Sequence, residues 1–155
     1  MAEAVTKPAL FVYGTLLFEP VMRVVTGRCF AKLPVVLPGY QCWKVRGASY
    51  PGIIEDLGSP DEQGVRGELC LHVDEHSLAR LDAYEDAFYE RRSVQVTVAS
   101  GLVHDALCYV VPQAASHRLE PVAWQREQFE REHLENFLTR LSAGGEPQAW
   151  TVKPG

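Results

Sequence analysis

Two short segments of the sequence carry groups that could do chemistry together. The first is Phe11-Val12-Tyr13-Gly14-Thr15-Leu16, in which an apolar run is broken at Gly14. A strand that ends at glycine can direct several backbone N–H groups toward one point, which suits an anion. Glycine also lets a ligand approach the backbone without a Cβ in the way. A strand that enters a glycine turn is ordinary structure as well, so this segment alone leaves both interpretations open.

The second segment is acidic and contains Asp82, Glu85, Asp86 and Glu90. Acids clustered after a helix are usually solvated, but Glu85 follows Leu78 by seven positions and Leu81 by four. That spacing places Glu85 on the apolar side of a predicted helix. A carboxylate that faces the interior is unfavourable unless it is paired or used. Glu85 therefore either transfers a proton in a reaction or forms an internal salt bridge with Arg91 or Arg92.

The elements that must position these segments are predicted from periodicity and from start and stop signals. Three helices are predicted. The first runs from Glu19 to Thr26, with Pro20 as its start signal and Gly27 as its stop signal. The second runs from an Asp74 cap to about Glu85, and the third from Val122 to Ala143. Strands are predicted at Ala9–Tyr13, Tyr40–Val45, Val65–Val73, Ser93–Val98 and Leu102–Val111. The last two strands are joined by a three-residue loop that places Gly101 where a positive φ is needed. The stretch with Pro34, Pro38 and Gly39 is expected to be a loop, as are residues 56–64.

The order of these elements favours one α+β domain over a doubly wound parallel sheet. Strands and helices do not alternate regularly, and hairpins dominate. We therefore expect a mixed, mostly antiparallel β-barrel-like sheet flanked by helices. A chain of 155 residues fits a single domain, with a core at about 9–143 and a C-terminal tail at 144–155.

Composition excludes several classes of function. The formal net charge of −5 and the absence of a basic run disfavour nucleic acid as a partner. The apolar runs are too short for a membrane span or a signal peptide. The four cysteines show no CxxC pair, and the five histidines show no HxH or HExxH pattern, so no metal site is expected. A reducing cytoplasm is the expected compartment.

Four motifs in consistent order resemble the γ-glutamylcyclotransferase-like superfamily. They are Tyr13-Gly14-Thr15-Leu16, Tyr50-Pro51-Gly52-Ile53, Val65-Arg66-Gly67-Glu68-Leu69 and Leu81-Asp82-x-Tyr84-Glu85-x-x-x-Tyr89-x-Arg91. The branch that this chain most resembles holds the γ-glutamylamine cyclotransferases and the plant AIG2-type proteins. The resemblance spans about residues 9–112.

The resemblance implies a reaction and a set of site residues. These enzymes convert a γ-glutamyl amide to 5-oxoproline and a free amine, and the substrate's own α-amine is the nucleophile, so no cofactor is implied. By analogy, Glu85 is the general acid and base, and the substrate is bound by Tyr13, Gly14, Thr15, Leu16, Tyr50, Tyr89 and Arg91. For Tyr50, Tyr89 and Arg91, packing or pairing with an acid is the alternative role.

Two other functions stay open, and the sequence does not indicate the oligomeric state. One is a non-catalytic member of the same fold that binds a small metabolite or a partner. The other is a cyclotransferase that acts on glutathione, whose branch typically carries serine at the position of Thr15. For the γ-glutamyl amide cyclotransferase and for the glutathione-specific alternative, the expected partner is a small γ-glutamyl molecule.

Overall fold

A closed barrel with helices on its outside positions the segments of interest. The structure, a computed structural model, describes residues 8–58, 64–85 and 87–143. The strands are β1 (Leu10–Val12), β2 (Lys32–Leu37), β3 (Tyr40–Lys44), β4 (Pro51–Glu55), β5 (Val65–Cys70), β6 (Glu90–Val98) and β7 (Val103–Val110). The α-helices are α1 (Glu19–Thr26), α2 (Glu75–Tyr84), α3 (Arg126–Glu132) and α4 (Leu134–Ser142), and 3-10 helices lie at Thr15–Leu17 and Gln113–Arg118. The predicted tail at 144–155 and part of the predicted loop at 56–64 lie outside the described residues.

The barrel runs in the order β1-β5-β2-β6-β7 and closes by a parallel pairing of β7 with β1. The other barrel pairings are antiparallel. Strands β3 and β4 form a separate antiparallel pair. The prediction of an α+β fold with a mostly antiparallel barrel is therefore confirmed.

Strand β1 is buried on both faces, which explains its continuous apolar sequence. Phe11 packs with Val35, Leu69 and the other residues of the barrel interior. Leu10 and Val12 belong instead to the cluster between the barrel and the helices. Because side chains alternate along a strand, β1 contacts both cores, and the turn at Gly14 follows directly after it.

Several local predictions are confirmed. Helix α1 has the predicted bounds and ends at Gly27, whose φ of +76° is the left-handed conformation of a helix C-terminus. Asp74 caps α2, because its carboxylate accepts the backbone N–H of Ser77 at 3.1 Å. Gly101 adopts the expected positive φ, at +89°.

The expectation of a loop around Pro34 was wrong, because residues 32–37 form strand β2. Pro34 faces Glu68 across the pairing of β2 with β5. On the other side of β2, the pairing with β6 begins only at Val35 and Val36. Proline lacks a donor for the sheet, and here it lies where one side of the strand has no partner.

The prediction of one helix from Val122 to Ala143 was also wrong. The carbonyl of Val122 accepts the N–H of Lys44 at 2.9 Å, so this segment pairs with β3 and α3 begins only at Arg126. His133, with φ −129° and ψ −25°, then separates α3 from α4. The break has no glycine or proline to signal it. On its two sides Phe129 and Phe137 both pack in the core, with ring centroids 5.6 Å apart.

Candidate active site

A narrow pocket lies where the end of β1, the start of β4 and the end of α2 meet. We call it the inner pocket, and its volume is about 30 Å³. Its walls consist of Phe11, Val12, Tyr13, Gly14, Thr15, Leu16, Tyr50, Pro51, Tyr84, Glu85, Tyr89 and Tyr109. Residues far apart in the sequence therefore converge on one small volume that contains a carboxylate and several phenols.

The turn after β1 supplies backbone groups to the inner pocket. The N–H groups of Leu17 and Phe18 close the 3-10 turn by bonding to the carbonyls of Gly14 and Thr15, at 2.9 and 3.2 Å. Within the described part of the chain, the N–H groups of Thr15 and Leu16 have no hydrogen-bond acceptor. The first amides of a helical turn lack partners for geometric reasons, and such amides suit an anion.

Gly14 is required by a close approach between this turn and β4. A Cβ at Gly14 would lie 2.7 Å from Cγ and 2.9 Å from Cδ of Pro51. The hydroxyl of Tyr89 donates to the carbonyl of Pro51 at 2.6 Å and holds this opposite wall. The absence of a side chain at position 14 therefore sets the width of the pocket.

Buried and partly buried tyrosines line the inner pocket together with Glu85. The hydroxyls of Tyr84 and Thr15 lie 2.7 Å apart in a hydrogen bond, and both residues are 7% exposed. The hydroxyl of Tyr13 donates to the carbonyl of Tyr109 at 2.8 Å. Burial raises the pKa of Tyr84 well above its ordinary value, and the charge of Glu85 raises it further. Burial also dominates the raised pKa of Tyr13, with smaller contributions from Cys108 and Glu85. At neutral pH these phenols are therefore uncharged.

Glu85 lies within the acidic segment and is half-buried. It is the first residue after α2, with φ −72° and ψ 146°, and its N–H donates to the carbonyl of Leu81 at 3.0 Å. The prediction placed it on the apolar face of the helix; instead the helix ends at Tyr84, and an extended backbone sets its direction. The negative charge of Glu85 contributes to the raised pKa of Tyr13, Tyr84 and Tyr109. Its carboxylate therefore interacts electrostatically with all three phenol groups.

A wider recess adjoins the inner pocket. We call it the outer depression; it has a volume of about 360 Å³ and is lined by Asp82, Glu85, Ala87, Tyr89, Arg91 and Tyr109. Nη1 of Arg91 lies 2.9 and 2.8 Å from the two carboxylate oxygens of Asp82. The hydroxyl of Tyr109 donates to Oδ1 of Asp82 at 2.6 Å. Glu85, Tyr89 and Tyr109 line both cavities.

The sequence-predicted site residues separate into two groups. Seven of the eight line the inner pocket: Tyr13, Gly14, Thr15, Leu16, Tyr50, Glu85 and Tyr89. Arg91 lies in the outer depression and pairs with Asp82, while Arg92 pairs with Glu90 at 3.4 Å. Sequence reasoning did not identify Tyr84 or Tyr109 as pocket residues. Tyr84 directly precedes Glu85, so its place in the sequence could have indicated it. Tyr109 faces Arg91 across the β6–β7 pairing, and identifying it requires the register of these strands.

The cysteines are poorly suited to nucleophilic catalysis. Burial raises the pKa of Cys42 and of Cys70 to about 12, and it raises that of Cys108 as well. A thiol is reactive as the thiolate, and these three stay protonated at neutral pH. Cys29 is exposed, and a hydrogen bond to Glu19 raises its pKa too.

The described ranges 8–58, 64–85 and 87–143 contain no group of three or more His, Cys, Asp or Glu side chains that could hold a metal ion. They also contain no helix with the length and apolarity to cross a membrane.

A larger groove of about 650 Å³ is lined by Tyr13, by residues of β3 and by residues of the barrel.

Comparison with known proteins identifies the family of the chain. Residues 10–135 match the family model described as "Gamma-glutamyl cyclotransferase, AIG2-like". The chain therefore belongs to the γ-glutamyl cyclotransferase, AIG2-like family, which acts on small γ-glutamyl substrates. The resemblance predicted from the four motifs is confirmed.

Individual relatives extend over most of the chain. AIG2-like protein D of Arabidopsis thaliana is 30% identical over 140 residues, which cover 89% of each protein. A solution structure of another Arabidopsis thaliana protein has a TM-score of 0.64 at 25% identity, and the match covers 99% of this chain and 89% of that one. An AIG2-like protein from Mus musculus shares the fold with a TM-score of 0.53 at 24% identity, over 68% of this chain and 78% of the other.

Proposed function

We propose that this protein is a cyclotransferase that converts a γ-glutamyl amine or γ-glutamyl peptide to 5-oxoproline and a free amine. The observation that supports this most directly is the inner pocket itself. A half-buried carboxylate, Glu85, shares it with the free backbone amides of Thr15 and Leu16 and with uncharged phenols. Family membership makes γ-glutamyl chemistry the appropriate reaction class.

Glu85 would manage the protons of the reaction. Its carboxylate takes a proton from the substrate's α-ammonium, and the freed amine attacks the γ-carbonyl carbon to form the five-membered ring. The protonated carboxyl then gives that proton to the departing nitrogen as the C–N bond breaks, and the regenerated carboxylate takes the second proton that the ring nitrogen must lose. When this second proton passes to the departed amine, the amine leaves as an ammonium ion and Glu85 returns to its ionised form. The α-nitrogen thus loses two protons and the departing nitrogen gains two, with one residue serving as base and as acid. No enzyme nucleophile is needed, which agrees with the raised pKa values of the buried thiols.

The turn after β1 would stabilise negative charge. The N–H groups of Thr15 and Leu16 are preorganised donors for the substrate carboxylate or for the oxyanion that develops on the γ-carbonyl oxygen. Tyr13, Tyr50 and Tyr89 would exclude water and shape the walls. Because the inner pocket holds only about 30 Å³, the turn or the tyrosines must move apart when a glutamyl group enters.

The direct test is incubation with a panel of γ-glutamyl compounds, with 5-oxoproline measured by mass spectrometry. We expect 5-oxoproline and free amine in equal amounts from substrates with a free α-amine. The N-acetylated form of each compound is the matched control, and it should give no product because an amide nitrogen is a poor nucleophile. Glutamate release would indicate hydrolysis instead. Binding of γ-glutamyl compounds without any turnover would favour the non-catalytic alternative.

A further inference from the structure

The turn after β1 is held at both of its ends by side chains from other elements. At its start, inside the inner pocket, the hydroxyl of Thr15 bonds to Tyr84 of α2. At its end, the carbonyl of Leu17 accepts a hydrogen bond from Nζ of Lys32 on β2 at 3.3 Å. Leu17 lines the larger groove rather than the inner pocket. Lys32 lines neither the inner pocket nor the outer depression, so it does not contact a substrate bound there.

Lys32 is itself held by Glu68. In the pairing of β2 with β5, Lys32 faces Cys70 and Pro34 faces Glu68, so Lys32 and Glu68 are diagonal neighbours. Nζ of Lys32 lies 3.3 Å from Oε1 of Glu68, and each side chain is 24% exposed. Within the described ranges this oxygen is buried without a hydrogen bond, so the charge of Lys32 is its compensation. A lysine side chain is flexible, and contacts with both Glu68 and Leu17 restrict its geometry.

Glu68 belongs to a sequence motif that the inner pocket does not explain. The motif is Val65-Arg66-Gly67-Glu68-Leu69, and none of its residues lines the inner pocket. Glu68 faces Val12, the last residue of β1, across the pairing of β1 with β5. A Cβ at Gly67 would collide with the carbonyl oxygen of Val12, so Gly67 permits a close approach of the two strands. The motif therefore supports the end of β1, directly before the turn.

We propose that Lys32 is a positioning residue for catalysis and that Glu68 fixes it in place. One attachment at Thr15 and a second at Leu17 prevent the turn from rotating. The N–H groups of Thr15 and Leu16 therefore stay directed into the inner pocket. A misplacement of about 1 Å in such a group can cost about 100-fold in rate. This inference depends on the proposed cyclotransferase function, and it adds two residues that lie outside the pocket.

The test is Lys32→Met, which keeps an unbranched apolar side chain but removes the donor and the charge. The purified full chain is assayed with the panel of γ-glutamyl compounds, among them γ-glutamylalanine and γ-glutamylethylamine. We expect kcat/KM to fall by about tenfold, because the turn loses one of its two attachments. Lys32→Arg keeps a charged donor and should retain most of the rate. Arg131→Met is the matched control, since Arg131 pairs with Glu132 at 3.2 Å on α3 and lines none of the three cavities described above; it should leave kcat/KM unchanged.

A double variant separates positioning from a purely structural role. Lys32→Met alone leaves Oε1 of Glu68 buried without a countercharge, so the urea midpoint of unfolding should fall. Lys32→Met combined with Glu68→Leu leaves no unpaired charge, so the midpoint should return toward that of the unmodified protein. The carbonyl of Leu17 still lacks its donor in the double variant. Its kcat/KM should therefore stay low although its fold is stable.

Each outcome supports or overturns the inference. A folded Lys32→Met protein with unchanged kcat/KM would overturn it and leave the cyclotransferase function intact. Recovery of kcat/KM together with stability in the double variant would also overturn it, because the ion pair would then be only structural. Glu68→Gln should lower kcat/KM by less than Lys32→Met does, and an unchanged rate would remove Glu68 from the proposal. If no compound of the panel yields 5-oxoproline with the unmodified protein, the proposed function fails and this inference fails with it.

Discussion

The inner pocket and the outer depression adjoin each other but are built in different ways. The inner pocket depends on backbone and on buried rings: Thr15 and Tyr84 are each 7% exposed and bond to one another. In the outer depression, the side chains of Asp82 and Arg91 are 46% and 37% exposed. The region proposed for chemistry is therefore fixed by the core, whereas the outer depression is fixed by an ion pair near the surface.

This difference has energetic consequences. A hydrogen bond removed from water is strong, and an unpaired partner left behind is costly. A solvent-exposed ion pair contributes only about 0–1 kcal/mol to stability and weakens with salt. Substitutions of the Arg91–Asp82 pair should therefore have little effect on folding, while substitutions in the inner pocket should affect both folding and activity.

The largest expected effect is that of Glu85→Gln, which keeps size and shape but removes the proton acceptor. Turnover should fall by about 10²–10⁴, the usual contribution of a general acid–base group. Stability should stay level or rise slightly, because a carboxylate held half out of water is unfavourable for the fold. Steady-state 5-oxoproline production and urea denaturation measure the two quantities.

Glu90→Gln is the matched control for this substitution. Glu90 is 54% exposed, pairs with Arg92 and lies outside both cavities, so the variant should keep most activity. A folded Glu85→Gln protein with near-normal turnover would refute the assignment. An unfolded one would identify Glu85 as a structural residue and remove the contrast between the two regions.

A second expected effect concerns the close contact that sets the width of the inner pocket. In Gly14→Ala, the new Cβ would lie 2.7 Å from Cγ of Pro51, so the turn or β4 must shift. Overpacking of this kind typically destabilises by about 1–3 kcal/mol. We also expect kcat/KM to fall by about tenfold or more, because small displacements of catalytic groups strongly reduce rates.

Gly58→Ala is the comparison for that substitution, because its Cβ would lie 4.0 Å from the nearest heavy atom, an oxygen of Asp56. Urea denaturation and 5-oxoproline assays of both variants give the result. If Gly14→Ala behaves like Gly58→Ala, the turn is more adaptable than the structure indicates.

The elements that sequence predicted well are those with local signals. Proline at the start of α1, glycine at its end and the Asp74 cap of α2 act within a few residues of the backbone that they shape. Gly14 and Glu85 were also singled out from their neighbours in the sequence, although α2 ends one residue before Glu85 and the predicted helix face does not set its direction. Such features need no knowledge of the fold.

The features that sequence missed depend on distant partners. Whether Pro34 can lie in a strand depends on where the pairing of β2 with β6 begins. The break at His133 accompanies packing of two phenylalanines rather than a helix-breaking residue. Tyr109 lies 27 residues from Asp82, and only the β6–β7 register and the position of α2 bring them together.

The last prediction removes the hydroxyl of two buried tyrosines whose partners differ in exposure: Tyr84 bonds to the buried Thr15, whereas Tyr109, which lines both cavities, bonds to the exposed Asp82. Tyr84→Phe leaves the hydroxyl of Thr15 buried without its partner, so unfolding free energy should fall by about 1–2 kcal/mol. Tyr109→Phe leaves Asp82 paired with Arg91 and accessible to water, so the loss should stay below about 0.5 kcal/mol. Urea denaturation at constant pH and salt measures both. Adding Thr15→Val to Tyr84→Phe should restore most of the lost stability, because replacing both partners by apolar groups of similar shape leaves no unpaired hydroxyl. Equal losses for the two single variants, or no recovery in the double variant, would mean that the exposure of the hydrogen-bond partner does not set the cost of losing the hydroxyl.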